Sequence, residues 1–136
     1  MAMIQTKRVY EPVAAAEGHR FLVDRLWPRG FRKEEVQMDA WLQEVSPSRE
    51  LCRWFGHEPS KWKEFQRRYT AELKAQPRVW QPLLEAARKG TVTLLYSARD
   101  TSHNNAVVLK GFLEKRLAAK AAPQTRRGSR SKANQP

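Results

Sequence analysis

Hydrophobic positions along this chain change their spacing several times, and each change marks an element. Ile4 to Tyr10 alternates weakly and stops at Glu11-Pro12, as a strand would. After Gly18, the run Arg20-Phe21-Leu22-Val23-Asp24-Arg25-Leu26-Trp27 is short, apolar at its centre and closed by Pro28-Arg29-Gly30, which predicts a buried strand entering a tight turn. Val36, Ala40, Trp41 and Val45 follow at mixed spacing, compatible with a helix or with a short strand, and Ser46-Pro47-Ser48 closes them.

Helical spacing dominates the middle of the chain. Ser48 to Phe55 reads as a short helix ended by Gly56. From Pro59 to about Ala75, Trp62, Phe65, Tyr69 and Leu73 recur at i, i+3, i+7 and i+11, one face of a helix, with Pro59 suited to its first position. Pro77 breaks that pattern. Trp80, Leu83, Leu84 and Ala87 mark another amphipathic helix, with Pro82 expected in its first turn and Arg88-Lys89-Gly90 as its ending. Thr91 to Tyr96 is the strongest strand signal, and Asp100, Thr101 or Ser102 can cap a helix carrying Ala106, Leu109, Leu113 and Leu117 on one face. Helices interleaved with short apolar strands predict an α/β fold: a small, mainly parallel sheet covered by helices on both faces, in a single domain.

Composition narrows the class. Of 136 residues 40% are hydrophobic, with five Trp and five Phe, enough for a core and too many for wholesale disorder. No apolar run reaches the roughly 18 residues of a membrane span, and the N-terminus lacks the apolar stretch of a signal peptide, so a cytoplasmic protein with no membrane partner is expected. Cys52 stands alone, which excludes an intramolecular disulfide and a cysteine-cluster zinc site.

The formal net charge of +12 is unevenly spread. From Lys115 onward there are seven basic residues and no acidic one. That stretch has almost no apolar area to bury, so the expected organisation is a compact α/β domain over 1–118 and a disordered basic tail over 119–136. Arg126, Arg127, Arg130 and Lys132 offer contacts to nucleic-acid phosphates, or they simply solubilise the tail.

Several strings resemble one family. Val23-Asp24-Arg25-Leu26-Trp27-Pro28-Arg29-Gly30, Trp54-Phe55-Gly56-His57, Trp62 with Phe65 and Tyr69 before Glu72-Leu73, and Thr93-Leu94-Leu95-Tyr96 with Asp100 and Asn104 are similar to the YeaO-like bacterial proteins, part of a broader domain-of-unknown-function family. The likeness runs from about Ile4 to Leu117 and leaves the tail outside. It implies a compact α/β domain of cytoplasmic bacterial type and brings no established catalytic activity. Longer relatives in the broader family place a Cys-x-Glu-like element after the late strand and a Cys-His pair soon after. Here the corresponding stretches read Tyr96-Ser97-Ala98-Arg99-Asp100 and His103-Asn104-Asn105, with neither thiol.

Chemistry-bearing residues gather at two strand ends. In open α/β sheets ligands bind in the crevice outside the carboxyl ends of the strands. Asp24 and Arg25 with Trp27 and Arg29 follow one strand; Tyr96 and Ser97 with Arg99, Asp100, His103 and Asn104 follow another. If those strands are parallel neighbours the clusters converge, and Arg25, Trp27, Arg29, Tyr96, Ser97, Arg99 and Asn104 become ligand-binding candidates for an anion. The competing reading is an internal salt-bridge network in which Asp24 pairs Arg29 or Arg99. Asp24, His57 and Asp100 are the acid–base candidates, although His57 is better suited to capping the following helix. His19, His57 and His103 are too far apart for a metal motif, and phosphate-loop and dinucleotide fingerprints are absent, so no metal or cofactor is indicated. Cys52 reads as a small buried hydrophobe, and the Trp62–Leu73 face as core rather than as a base-stacking platform. The expected function is binding of, or action on, a small anionic ligand, phosphate- or nucleotide-like. The alternative is a nucleic-acid-associated module using tail and body charge.

Overall fold

The strands β1 (Ile4–Arg8), β2 (His19–Leu22), β3 (Ala40–Trp41) and β4 (Val92–Tyr96) form one parallel sheet in the order β1-β4-β2-β3. The structure is a computed structural model and describes residues 3–121. Every residue of β4 is buried, as a central parallel strand covered on both faces requires. Its alternation sends Val92, Leu94 and Tyr96 into one cluster and Leu95 into the other.

Four α-helices fill the first face: α1 (Arg49–Phe55), α2 (Trp62–Ala75), α3 (Pro77–Lys89) and α4 (Asn105–Ala121). Their apolar stripes meet at Phe65, Tyr69, Leu73, Leu83, Leu109 and Leu113, all buried against β4 and Ile4. The aromatics of α2 are therefore core, as their spacing predicts. Two polar handles lock the layer: the Tyr69 hydroxyl donates to the Val45 carbonyl at 2.5 Å and the Trp80 indole to that of Leu73 at 2.8 Å. Pro77, not Pro82, occupies the start of α3, so Pro82 lies in the second turn rather than the first.

The second face is covered differently from the expectation. Val9, Leu22, Val36 and Leu95 pack beneath Trp27, Phe31, Met38 and Trp41, and none of these belongs to an α-helix. The β2–β3 crossover is a loop with one short 3-10 turn at Lys33–Glu35. Pro28, Gly30 and the charged run Arg32-Lys33-Glu34-Glu35 leave that segment no apolar stripe of helical period.

The ambiguous stretch around residues 36–45 becomes the two-residue strand β3 followed by a 3-10 turn at Gln43–Val45. Helix α4 continues to Ala121, and Arg126, Arg127, Arg130 and Lys132 lie outside the described residues. No helix among the described residues is long and apolar enough to cross a membrane.

Candidate functional site

Strands β2 and β4 are direct parallel neighbours, with Phe21 opposite Leu94 and Leu22 opposite Leu95. Their carboxyl ends therefore open at the same sheet edge, and the two turns that follow them meet. The meeting point is a hydrogen-bonded clasp. One oxygen of Asp24, Oδ2, accepts from the Ser97 backbone N–H at 2.9 Å and from the Ser97 hydroxyl at 2.8 Å. Burial pushes the Asp24 carboxyl above its usual range, and the two Ser97 bonds only partly offset it.

A cavity of about 640 Å³ lies against this clasp, between the strand ends and helices α1, α2 and α4. From the β2 turn it receives Asp24, Arg25 and Leu26, and from the β4 turn Ser97, Ala98, Arg99 and Asp100. Asn104 and Asn105 at the start of α4 complete one side, and Pro47, Cys52, Phe55, His57 and Phe65 the other.

The cations here are not neutralised internally. Arg25 donates Nε and one terminal nitrogen to the Pro47 carbonyl, at 3.2 and 3.1 Å, and forms no ion pair among the described residues. Its guanidinium is thus held in place by a neutral acceptor with its charge intact. Arg99 is exposed and forms neither a hydrogen bond nor an ion pair among the described residues. A salt-bridge network locking the two turns is not what holds them; Ser97 is the partner of Asp24. Arg8, on β1, braces the β4 turn by donating to the carbonyls of Ala98 at 2.9 Å and Ser97 at 3.3 Å.

The acidic turn before α4 is self-contained. Asp100 Oδ1 accepts from the backbone N–H groups of Ser102 and His103, and Oδ2 lies 3.0 Å from His103 Nδ1. Those backbone bonds hold its carboxyl below the usual range. The cap of α4 is Asn104, whose Oδ1 accepts from the Val107 N–H at 3.1 Å while its amide donates to the Asp100 carbonyl. Asn105 ties the helix to β2 by donating to the Val23 carbonyl at 3.0 Å.

His57 reaches the cavity through an unusual backbone. It follows Gly56, itself left-handed at φ 54°, and adopts φ 58°. A histidine in that region carries strain of about 1–2 kcal/mol. It caps nothing: among the described residues it makes no hydrogen bond, and its ring lies 6.1 Å from that of Phe55.

Of the residues singled out from sequence, Asp24, Arg25, His57, Ser97, Arg99, Asp100 and Asn104 line one cavity. Trp27, Arg29 and Tyr96 are elsewhere. After Leu26 the chain crosses to the second face, where the Trp27 indole donates to the Phe31 carbonyl at 2.7 Å and packs edge-on against Trp41. Arg29 is exposed on the following turn, its carbonyl accepting from the Tyr10 hydroxyl. Tyr96 faces the helical core by the alternation of β4. Cys52 keeps exposed surface and lines the cavity instead of packing in the core, and the protein around its sulfur desolvates the thiol enough to push it up, away from the reactive thiolate. Leu26, Pro47 and Asn105 also line the cavity and were not singled out as site residues from sequence, although Leu26 and Asn105 lie inside quoted strings. Among the described residues no three His, Cys, Asp or Glu side chains gather in a way that could hold a metal ion.

Comparison with known proteins places the chain in a family. The model of a family described as "Inactive DUF488-N3 subclade" matches residues 3–133, reaching into the basic tail that the motif resemblance left outside. The uncharacterized protein YeaO of Escherichia coli is 44% identical over 110 residues, covering 81% of this chain and 96% of that protein. The uncharacterized protein Rv3073c of Mycobacterium tuberculosis is 34% identical over 113 residues, covering 83% and 95%. No solved structure matches the chain.

Proposed function

The chain belongs to the DUF488-N3i family, a YeaO-like group described as an inactive subclade, and from that premise we propose that it binds a small anionic, phosphate- or nucleotide-like ligand at the strand ends without transforming it. The observation carrying this reading is Arg25, a guanidinium fixed by a neutral carbonyl and facing a cavity with no carboxylate paired to it. A positioned, uncompensated arginine is well suited to a phosphate or carboxylate fork. Arg99 at the rim and His57 on the opposite loop add donors.

Binding without turnover is supported by how the carboxylates are committed. Asp24 is engaged by Ser97, and Asp100 by its own turn and by His103, which is not among the residues lining the cavity, so the carboxylates are committed to holding structure. The nucleic-acid alternative rests on Arg126, Arg127, Arg130 and Lys132, and nothing in the described residues adds to it.

A thermal-shift series on the full chain with phosphate, sulfate and nucleotides tests the reading. A ligand at a hundred times its Kd stabilises by about 2.7 kcal/mol, readily seen as a higher Tm. The shift is expected to shrink in Arg99→Ala, which leaves the fold intact because Arg99 is exposed and unbonded among the described residues. Failure of every anion to raise Tm would refute anion binding.

A further inference from the structure

Each of the two turns offers the cavity an arginine and an apolar residue side by side: Arg25-Leu26 after β2 and Ala98-Arg99 after β4. Leu26 is 75% exposed, and it lines the cavity mouth. The wall is apolar elsewhere too, with Pro47 and the stacked pair Phe55–Phe65, whose ring centres are 4.2 Å apart. An inorganic anion satisfies the arginines and leaves this wall wet. A ligand that uses both carries an apolar group beside its anionic group.

Asp24 adds a third requirement. Both Ser97 bonds fall on Oδ2, the Asn105 amide adds a weaker stabilising contact, and the largely buried carboxyl keeps acceptor capacity on Oδ1 beside the cavity. A half-used, poorly hydrated carboxylate favours a ligand hydroxyl or N–H. The volume of about 640 Å³ falls in the range of small-molecule sites and exceeds what a free phosphate needs.

Resting on the anion-site reading above, we propose that the ligand is a nucleoside phosphate: its phosphate against Arg25 and Arg99, its base against Leu26, and a sugar hydroxyl donating to Asp24. Leu26 is then the residue that distinguishes a nucleotide from a bare sugar phosphate.

Calorimetric titration of the full chain with inorganic phosphate, ribose 5-phosphate and adenosine 5′-monophosphate tests this. Affinity is expected to rise along that series. Leu26→Ser is expected to lower the ratio of nucleotide to sugar-phosphate affinity by about tenfold, the scale of losing one leucine's apolar contact, with Tm unchanged because the side chain is already exposed. Asp24→Asn is expected to weaken both sugar-bearing ligands relative to inorganic phosphate. Equal affinity for the sugar phosphate and the nucleotide, or a ratio indifferent to Leu26→Ser, would overturn the nucleoside inference while leaving anion binding standing. No binding of any of the three would overturn both.

Discussion

Asp24 and Ser97, 73 positions apart in the chain, are joined by two hydrogen bonds to a single carboxylate oxygen, and this clasp holds the ends of β2 and β4 together. The clasp is made at an energetic cost. Burial raises the Asp24 carboxyl above its unfolded value, so the folded state holds the proton more tightly than the unfolded chain does. The associated stability is fully present below the unfolded pKa, about 4, and is lost as pH rises through the folded value. At neutral pH the buried Asp24 carboxyl therefore costs the folded state stability. Asp24→Asn keeps an oxygen for Ser97 and removes the charge. It is expected to raise Tm at pH 7, with the gain fading as the pH approaches 4. A variant less stable than wild type at pH 7 would show that the ionised clasp outweighs its desolvation.

His57 presents the same trade from the backbone side. At φ 58° glycine is the favoured residue, so His57→Gly relieves strain of about 1–2 kcal/mol and returns about 0.5–1 kcal/mol as added freedom of the unfolded chain. The net expectation is a small rise in Tm, accompanied by weaker phosphate binding through loss of the imidazole. Chemical denaturation with a phosphate titration on the same sample reads both. A fall in stability would mean that the ring's contact with Phe55 holds the loop.

The sheet core was legible because β4 is a short run of apolar and β-branched residues and α2 keeps one face for three turns, signals that local spacing carries unaided. Convergence of the Asp24 and Ser97 turns was legible only as a condition, since spacing does not say which strands are neighbours. Trp27 and Arg29 illustrate the limit. They lie within five residues of Asp24 in sequence, yet the chain crosses the sheet edge after Leu26, and crossing is decided by where Trp41 and Phe31 offer cover. Pro47 escaped notice for a different reason: its contribution is a backbone carbonyl, which no side-chain pattern reveals.

On the second face, Glu17 is buried between Lys7 and Arg20, and its side chain is only 5% exposed. Burial works against its carboxylate, but the bonds from Lys7 and Arg20 overcome it and the pKa falls below 4.5. Its contribution to stability is present above that unfolded value and disappears as pH falls through the folded one. Glu17→Gln leaves two cations facing each other with little solvent, and removing one partner of such a network costs about 3–5 kcal/mol. Urea unfolding at pH 7 is expected to show a loss on that scale, much reduced near pH 3. Wild-type stability in the variant would mean that Lys7 and Arg20 reach water.

Gly18 sets the register from which the site is built. It immediately precedes β2, with φ 63°, and the His19 N–H that follows donates to the Thr91 carbonyl at 3.0 Å. A Cβ at position 18 would lie 2.2 Å from that same carbonyl oxygen and 2.8 Å from its carbon, both backbone atoms that cannot swing aside. Gly18→Ala therefore has to push β2 away from β4 or give up the left-handed turn, and either change shifts Asp24 relative to Ser97. The expected result is a loss of more than about 2 kcal/mol in stability, with ligand affinity falling in parallel because the clasp loosens. Gly56→Ala is the control, since its Cβ would meet nothing closer than 3.7 Å and only the φ of 54° opposes it. Its loss should be limited to about 1 kcal/mol. Equal losses in the two variants would mean that glycine's conformation, and not the contact with Thr91, is what position 18 supplies.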